Sequence, residues 1–190
     1  AAQNAAKAFV TDQPANVRIG VVSFAGTAAV VQAPTQNRED VIAAIDRFQL
    51  QRATAIGSGI IVSLPTIFPD AGIDVSSLIY GRNGPRGVPL DHAGKADKKE
   101  FKPVAPGSYT SAAIILLTDG QRTTRPDSID AARMAADRGV RVFTVGFGTK
   151  SGETIGFEGW SMRVRLDEET LKTIASMTRG EYFYAGTATD

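Results

Sequence analysis

The stretch from Ala112 to Gly120, which reads AAIILLTDG, decides the fold class of this chain. A short unbroken apolar run bounded by turn residues is typical of a strand buried on both faces, as in a parallel sheet covered by helices. The run ends at a carboxylate, Asp119, and Gly120 lets the backbone turn sharply behind it. In open α/β sheets, ligands bind at the carboxyl ends of the strands. Asp119 is therefore a candidate functional residue, although capping of a loop or of the next helix would also account for it.

Apolar runs alternate with capped, amphipathic segments along most of the chain. Helices are predicted over 1–10, 37–48, 54–68, 124–139 and 167–180, and strands over 18–24, 28–32, 112–118, 140–147 and 181–185, with a small hairpin at 153–164. Ala5, Ala8 and Phe9 are expected on one face of the first helix. Thr124 is expected to cap the fourth helix, and Gly180 to stop the last one. The alternation predicts a doubly wound, mostly parallel α/β sheet, in three layers with one antiparallel edge strand.

One region, 69–111, interrupts this alternation. It is rich in glycine and proline and carries the sole histidine, His92, for which a solvated role is the simpler interpretation. Connections longer than about 12–15 residues without structure are uncommon unless they are functional or disordered. Two interpretations stay open: a mobile, solvated insertion with a short ordered piece at 73–80, or a loop that docks a partner. Because the insertion joins a helix end to a strand start, we expect it at the rim opposite Thr54 and Asp119.

The composition argues against several classes of function. Lys and Arg number 21 against 20 Asp and Glu, so a net charge of +1 gives no electrostatic case for a nucleic acid or an acidic membrane. The absence of cysteine excludes disulfides, thiol catalysis and thiolate metal sites. With one histidine and no Gly-x-Ser-x-Gly motif, a Ser-His-acid hydrolase is poorly supported. We therefore expect a protein partner, no nucleic-acid partner and no enzymatic activity.

A hard, oxygen-liganded cation such as Mg²⁺ remains compatible with the sequence. Thr54 lies at a predicted helix start and Asp119 at a predicted strand end, and in an alternating α/β layout these share one edge of the sheet. The residues around Thr54 read ATAIGSG, and such small residues let a ligand approach the backbone N–H groups closely. Capping by Thr54, with glycines for tight packing, explains the same residues equally well. Two ligands are too few for a stable site, so Mg²⁺ is expected to bind this chain weakly or not at all.

Five motifs in order resemble the von Willebrand factor A (VWA) domain, and most of all its membrane-anchored bacterial members of the aerotolerance (Bat) type. They are RIGVVSFAG, RATAIGSGI, IILLTDG, VRVFTVGFGT and LDEETLKTIASMTRGEYFYA. The resemblance implies one VWA-like, Rossmann-like domain over 1–190, with 69–111 as an insertion. In that family a metal-ion-dependent adhesion site (MIDAS) combines a first-strand Asp-x-Ser-x-Ser, a later threonine and the aspartate of Thr-Asp-Gly. Thr54 and Asp119 match the second and third elements, and the first is absent.

The resemblance also implies a function. In the family, Mg²⁺ at the MIDAS accepts a Glu or Asp carboxylate of a partner protein, and no bond is made or broken. It further implies that a first strand is missing before Ala1, which would leave an unpaired gap in the sheet. Membrane anchors are expected outside this chain, with the VWA domain on the periplasmic side of the bacterial inner membrane. Two alternatives stay open: a metal-independent module that binds through its surface loops, and a metal-assisted hydrolase that uses Asp119.

Overall fold

The computed structural model describes residues 2–48, 54–81, 101–118, 125–147, 153–157, 160–164 and 166–185. Within these ranges six α-helices and seven β-strands follow one another, with a short 3₁₀ turn at Pro69–Ala71. In chain order they are α1 (Ala2–Asp12), β1 (Ile19–Phe24), β2 (Ala28–Thr35), α2 (Arg38–Asp46), α3 (Ile56–Ile67), α4 (Val75–Tyr80), β3 (Ala113–Thr118), α5 (Ser128–Asp137), β4 (Arg141–Gly146), β5 (Glu153–Phe157), β6 (Trp160–Val164), α6 (Glu168–Met177) and β7 (Tyr182–Tyr184).

The central sheet is parallel, as the run at Ala112–Gly120 predicts, but the expectation that β3 is buried on both faces is wrong. Its residues alternate between buried and exposed, and Ile115 is 37% exposed. Its strand order is β3-β4-β7, and β3 and β4 pair without a break from Ala113 opposite Arg141 to Thr118 opposite Gly146. Strands β1 and β2 form a separate antiparallel hairpin, and β5 and β6 form another. Among the described strands, β1 is not hydrogen-bonded to β3. The predicted mixed α/β fold with a parallel sheet is confirmed.

Helices α3, α5 and α6 cover one face of the parallel sheet. Alternate residues of the strands, such as Leu116 and Val142, point into this layer and are buried. They join a continuous apolar core with the inner faces of the three helices: Ile56, Ile60, Ile61, Leu64, Ala131, Ala132, Ala135, Leu171 and Ile174. Burying such side chains is the dominant favourable term in folding. This face therefore fixes the ends of the helices relative to the ends of the strands.

Helices α1 and α2 form a second, smaller core with the hairpin. Val10 and Ile45 are buried there against Ile19 and Val21 of β1. Because Phe24 of β1 packs into the first core instead, the hairpin lies between two helical layers. On α1, Val10 is buried in this core, whereas Phe9 is 40% exposed. An Ala-rich helix offers several faces of similar apolarity, and contact with α2 decides which one is used.

One of two predicted helix starts differs from the sequence-based prediction. The N-cap of α5 is Asp127, whose carboxylate accepts hydrogen bonds from the backbone N–H groups of Ile129 (2.8 Å) and Asp130 (3.3 Å). The predicted cap, Thr124, therefore lies too far upstream, and it falls outside the described residues. Helix α6 begins at Asp167 as predicted, where the side chain accepts from the backbone N–H of Thr170 at 3.1 Å.

Part of the interrupting region is ordered. The short helix α4 confirms the ordered piece expected at 73–80, and the stretch 101–112 leads into β3. His92 and its neighbours from 82 to 100 lie outside the described residues, so the two interpretations of the insertion stay open for that part.

Candidate metal-binding rim

Strand ends and helix starts meet along one edge of the sheet, which we call the carboxyl rim. Strands β3 and β4 end side by side, where the backbone N–H of Phe147 donates to the carbonyl oxygen of Thr118 at 2.9 Å. Helices α3 and α5 begin in contact, because a Cβ at Gly57 would collide with the carbonyl oxygen of Pro126. At the start of α6, Leu166 packs against Gly146. The end of β4 thus contacts both the end of β3 and the start of α6, and the start of α3 contacts the segment before α5.

Thr54 lies on the carboxyl rim, half-buried, just before α3. The N-cap position belongs to Ala55, and α3 begins without a hydrogen bond from a capping side chain. Thr54 does make an interaction of its own, so its hydroxyl is not simply free. The glycines of this turn serve close packing: Gly57 against the segment that begins α5, and Gly59 against the ring of Phe24. This explains the small residues around Thr54 at least in part.

Asp119, the second predicted site residue, lies outside the described residues. Its neighbour Thr118 is buried and is the last residue of β3. The structure thus describes the strand end that carries Asp119 but not the carboxylate itself. Proximity between Thr54 and Asp119 stays a prediction.

Ser128 is a rim residue that sequence reasoning missed. Its side chain is fully buried at the start of α5, and within the described part of the chain its hydroxyl makes no hydrogen bond. Buried polar groups are nearly always hydrogen-bonded, so this orphaned hydroxyl stands out. The sequence gives little signal for it, since a serine after Pro126-Asp127 reads as an ordinary first-turn residue.

The candidate ligands on this rim are all oxygen atoms, which suits Mg²⁺, but they are few. Hydroxyls at Thr54 and Ser128, with the Asp119 carboxylate, would be an oxygen-only set, which suits hard cations and not zinc. Among the described residues there is no cluster of three His, Cys, Asp or Glu side chains that could hold a metal. The start of α3 carries a partial positive charge that favours an anion. A cation here would therefore depend on the Asp119 carboxylate.

Two other acids of this rim are engaged in structural contacts. Asp127 caps α5, and the Glu168 carboxylate accepts a hydrogen bond from the Tyr182 hydroxyl (3.1 Å) while pairing with Lys172 (3.2 Å). Burial, followed by this hydrogen bond and the charge of Glu168, raises the pKa of Tyr182 to about 12. Tyr182 therefore keeps its proton and donates a hydrogen bond to Glu168, and this bond joins α6 to β7.

Comparison with known proteins places this geometry in a family. The von Willebrand factor type A domain matches residues 1–70 and residues 95–190. A UPF0353 protein of Nocardia farcinica is 34% identical over 199 residues, covering 97% of this chain and 50% of the relative. The chain thus spans about half the length of the curated relatives it matches.

Solved structures show the same fold. BatB, a conserved hypothetical protein from Bacteroides thetaiotaomicron, superposes with a TM-score of 0.66 at 19% identity, covering 98% of this chain and 79% of that one. An aerotolerance-related membrane protein from Bacteroides fragilis gives 0.67 at 19% identity, with 97% and 79% covered. Proximal thread matrix protein 1 from the mussel byssus, with a zinc-occupied MIDAS motif, gives 0.52 at 18% identity, with 97% and 38% covered.

In the part of the chain that the structure describes, no helix combines the length and apolar character needed to cross a bilayer. The family match spans the motifs at Thr54 and at Asp119 only through separate segments, the first ending at residue 70 and the second beginning at 95. The second of these segments contains β3, β4 and β7, which form the parallel sheet, and α5 and α6, two of the three helices that begin on the carboxyl rim. The chain therefore belongs to the von Willebrand factor type A family.

Proposed function

We propose that this protein is an interaction module of VWA type, which holds Mg²⁺ through Thr54 and Asp119 and uses the ion to bind a carboxylate of a partner protein. The observation that supports this most is the position of Thr54. It precedes α3 at an N-terminus without a side-chain cap, on the same rim where β3 ends one residue before Asp119.

The donor set explains why such a site would bind a partner. A neutral hydroxyl and a single carboxylate leave a divalent cation under-neutralised, and opposite charges attract strongly where water is scarce. Mg²⁺, when bound, would supply positive charge toward an incoming carboxylate. The partial positive charge at the start of α3 favours the same anion. Thr54 and Asp119 would hold the ion and orient it toward the partner carboxylate, so the proposed activity is binding and not catalysis.

We infer one VWA domain over 1–190, with 69–111 as an insertion into it. We further propose that the intact protein is anchored in the bacterial inner membrane, with this domain on the periplasmic side. The aerotolerance-related membrane protein of Bacteroides fragilis, which shares the fold, supports the membrane association. The periplasmic side rests on the resemblance to the Bat type.

Titration calorimetry of the intact protein with MgCl₂ tests the metal site. We expect binding in the wild type, and Thr54→Ala and Asp119→Ala should each weaken it at least about tenfold, since metal affinity responds to lost oxygen contacts on this scale. The matched control is Asp130→Ala, which removes an exposed carboxylate from the first turn of α5. Equal affinity in wild type and both variants would contradict the proposal.

The second candidate is a metal-independent interaction module. It is favoured by the acids of the described rim, because Asp127 and Glu168 are engaged in structural contacts and no three-acid cluster lies among the described residues. This alternative predicts that partner capture by the intact protein is unchanged in EDTA and in Asp119→Ala. Turnover of a phosphoester that is lost in Asp119→Ala would instead favour the metal-assisted hydrolase.

A further inference from the structure

The opposite edge of the sheet, where α3 and α5 end and β3 begins, carries the last part of the insertion. The backbone N–H of Val104 donates to the carbonyl oxygen of Asp137 at 2.8 Å, and that of Tyr109 donates to the carbonyl oxygen of Gly139 at 3.0 Å. Gly139 has a φ of 73°, and a Cβ there would lie 2.5 Å from the Ser108 hydroxyl. Residues 101–109 are therefore fixed to the end of α5.

This arrangement leaves an open hollow of about 340 Å³, which we call the rim pocket. The rings of Phe68 and Tyr109 meet in it at a centroid distance of 4.9 Å, and its surface is mainly apolar. Phe101 and Val104 form the outer wall and stay half exposed, at 50% and 49%. Ligand pockets in proteins run from about 300 to 1,000 Å³. The rim pocket is at the lower end of that range, which suits one aromatic or large aliphatic group.

Two cations border these apolar walls. The guanidinium of Arg138 lies 4.2 Å from the centroid of the Phe101 ring, and its Nη1 donates to the carbonyl oxygen of Met134 at 3.1 Å. Lys102 also lines the pocket. Within the described ranges neither cation has a carboxylate at ion-pair distance. Partial burial lowers the pKa of Arg138, which the charge of neighbouring Asp137 offsets in part, so a further carboxylate here would stabilise the charged guanidinium.

We propose that the rim pocket binds a peptide segment of a partner protein in which an aromatic or large aliphatic residue adjoins a carboxylate. The apolar side chain enters between Phe68, Phe101 and Tyr109, and the carboxylate pairs with Arg138 and Lys102. Arginine is well suited to this because its planar fork binds carboxylates with two hydrogen bonds.

The charge of the pocket lining favours a peptide over a lipid surface as its ligand. Among the described residues that line the pocket, Arg138 and Lys102 against Asp137 leave one net positive charge, whereas recruitment to anionic lipid typically uses clusters of about 4–8 basic residues. The pocket also lies away from the carboxyl rim, since the 12 residues of α3 separate the two edges by about 18 Å. Binding here is therefore a second contact, independent of the metal site.

Fluorescence anisotropy with the intact protein and a labelled peptide tests this proposal. The probe is a glycine-flanked Asp-Phe-Asp-Leu peptide, and its control carries lysines in place of the aspartates. We expect the acidic peptide alone to bind, with affinity that falls as salt rises. Arg138→Gln should weaken binding about fivefold, the scale of a partly exposed ion pair. Phe101→Ala should weaken it as well, because it removes the outer wall.

Matched variants separate the pocket from its surroundings. Arg133→Gln removes an exposed cation from the same helix and should leave binding unchanged. Arg138→Lys keeps the charge but loses the planar fork, so its affinity should lie between those of the wild type and Arg138→Gln. Neither EDTA nor Thr54→Ala should affect the peptide, so failure of the metal proposal would not imply failure of this one. Equal binding of the lysine peptide, wild-type affinity in Arg138→Gln, or binding to phosphatidylglycerol vesicles in place of the peptide would overturn the proposal.

Discussion

At the scale of single residues, Gly180 sets the distance between α6 and β4. A Cβ at this position would collide with the carbonyl oxygen of Val142 and lie 2.6 Å from its carbonyl carbon, and both belong to the backbone of a central strand. The left-handed residue after α6 is Arg179, with a φ of 62°. The expectation that Gly180 would stop the helix therefore had the right position but the wrong cause. A glycine is needed at position 180 because the backbone packs closely against Val142 of β4, which is far away in the sequence.

Gly180→Ala is expected to lower the free energy of unfolding by about 3 kcal/mol, because overpacking against an immobile backbone has few ways to relax. Urea unfolding followed by circular dichroism measures this. The matched control is Gly26→Ala, where an added Cβ meets nothing within 4 Å and the change should stay within about 0.5 kcal/mol. Similar stabilities for the two variants would show that β4 and α6 can move apart at little cost.

At the scale of elements, local patterns predicted most of the described helices and strands. Strand β3 was expected over 112–118 and spans Ala113–Thr118, and α3 was expected over 54–68 and spans Ile56–Ile67. Hydrophobic period and caps are properties of a short stretch, so a sequence reveals them. The cap of α5 was predicted wrongly, because Thr124 and Asp127 are both possible caps in the sequence and the local pattern does not decide between them. The buried side of α1 likewise depends on its contact with α2, which the sequence of α1 does not reveal.

The contact between α6 and β7 predicts a dependence of stability on alkaline pH. Folding raises the pKa of Tyr182 to about 12, first through burial and then through the hydrogen bond to Glu168, from an ordinary value near 10. Between these values the folded state keeps a proton that the unfolded state has lost. The contribution of Tyr182 is therefore complete below pH 10 and falls as pH rises toward 12.

Urea midpoints measured from pH 8 to 11 check this expectation. The wild type should lose stability above pH 10 more steeply than Tyr182→Phe, which has no phenol to ionise. Glu168→Gln should fall between the two, because it keeps the burial of Tyr182 and removes the carboxylate charge. Parallel curves for wild type and Tyr182→Phe would mean that the phenol ionises alike in the folded and unfolded chains.

At the scale of the whole molecule, the sequence predicted that Thr54 and the end of β3 lie on one edge of the sheet, but not which other side chains lie there. Alternation of strands and helices is enough to place Thr54 at a helix start on the carboxyl rim. The orphaned hydroxyl of Ser128 needs tertiary packing to be seen. The rim pocket is lined by Phe68, Phe101 and Arg138, which are far apart in the chain, so no local sequence motif predicts it. Sites built from residues that are distant in the chain cannot be predicted from local sequence patterns.

One helix also decides whether the molecule behaves as a single domain. Helix α3 contacts β1 and β2 of the hairpin as well as β3 of the parallel sheet, and Ile60 is fully buried at its centre. Because Ile60 shares its core with Phe24 of the hairpin and Leu116 of the sheet, it should couple the two. Ile60→Ala is expected to cost about 2–5 kcal/mol, and Ile60→Val about 0.5–1.5 kcal/mol.

Hydrogen exchange of the backbone amides gives the sharper readout. If the chain unfolds as one unit, Ile60→Ala should speed exchange in β1 and in β4 by the same factor, whereas Val31→Ala, at an exposed position of β2, should change neither. Faster exchange confined to β4 would mean that α1 and α2 hold the hairpin without α3. The inferred single domain over 1–190 would then divide into two cooperative units, because the stability of β1 would no longer depend on the core beneath the parallel sheet.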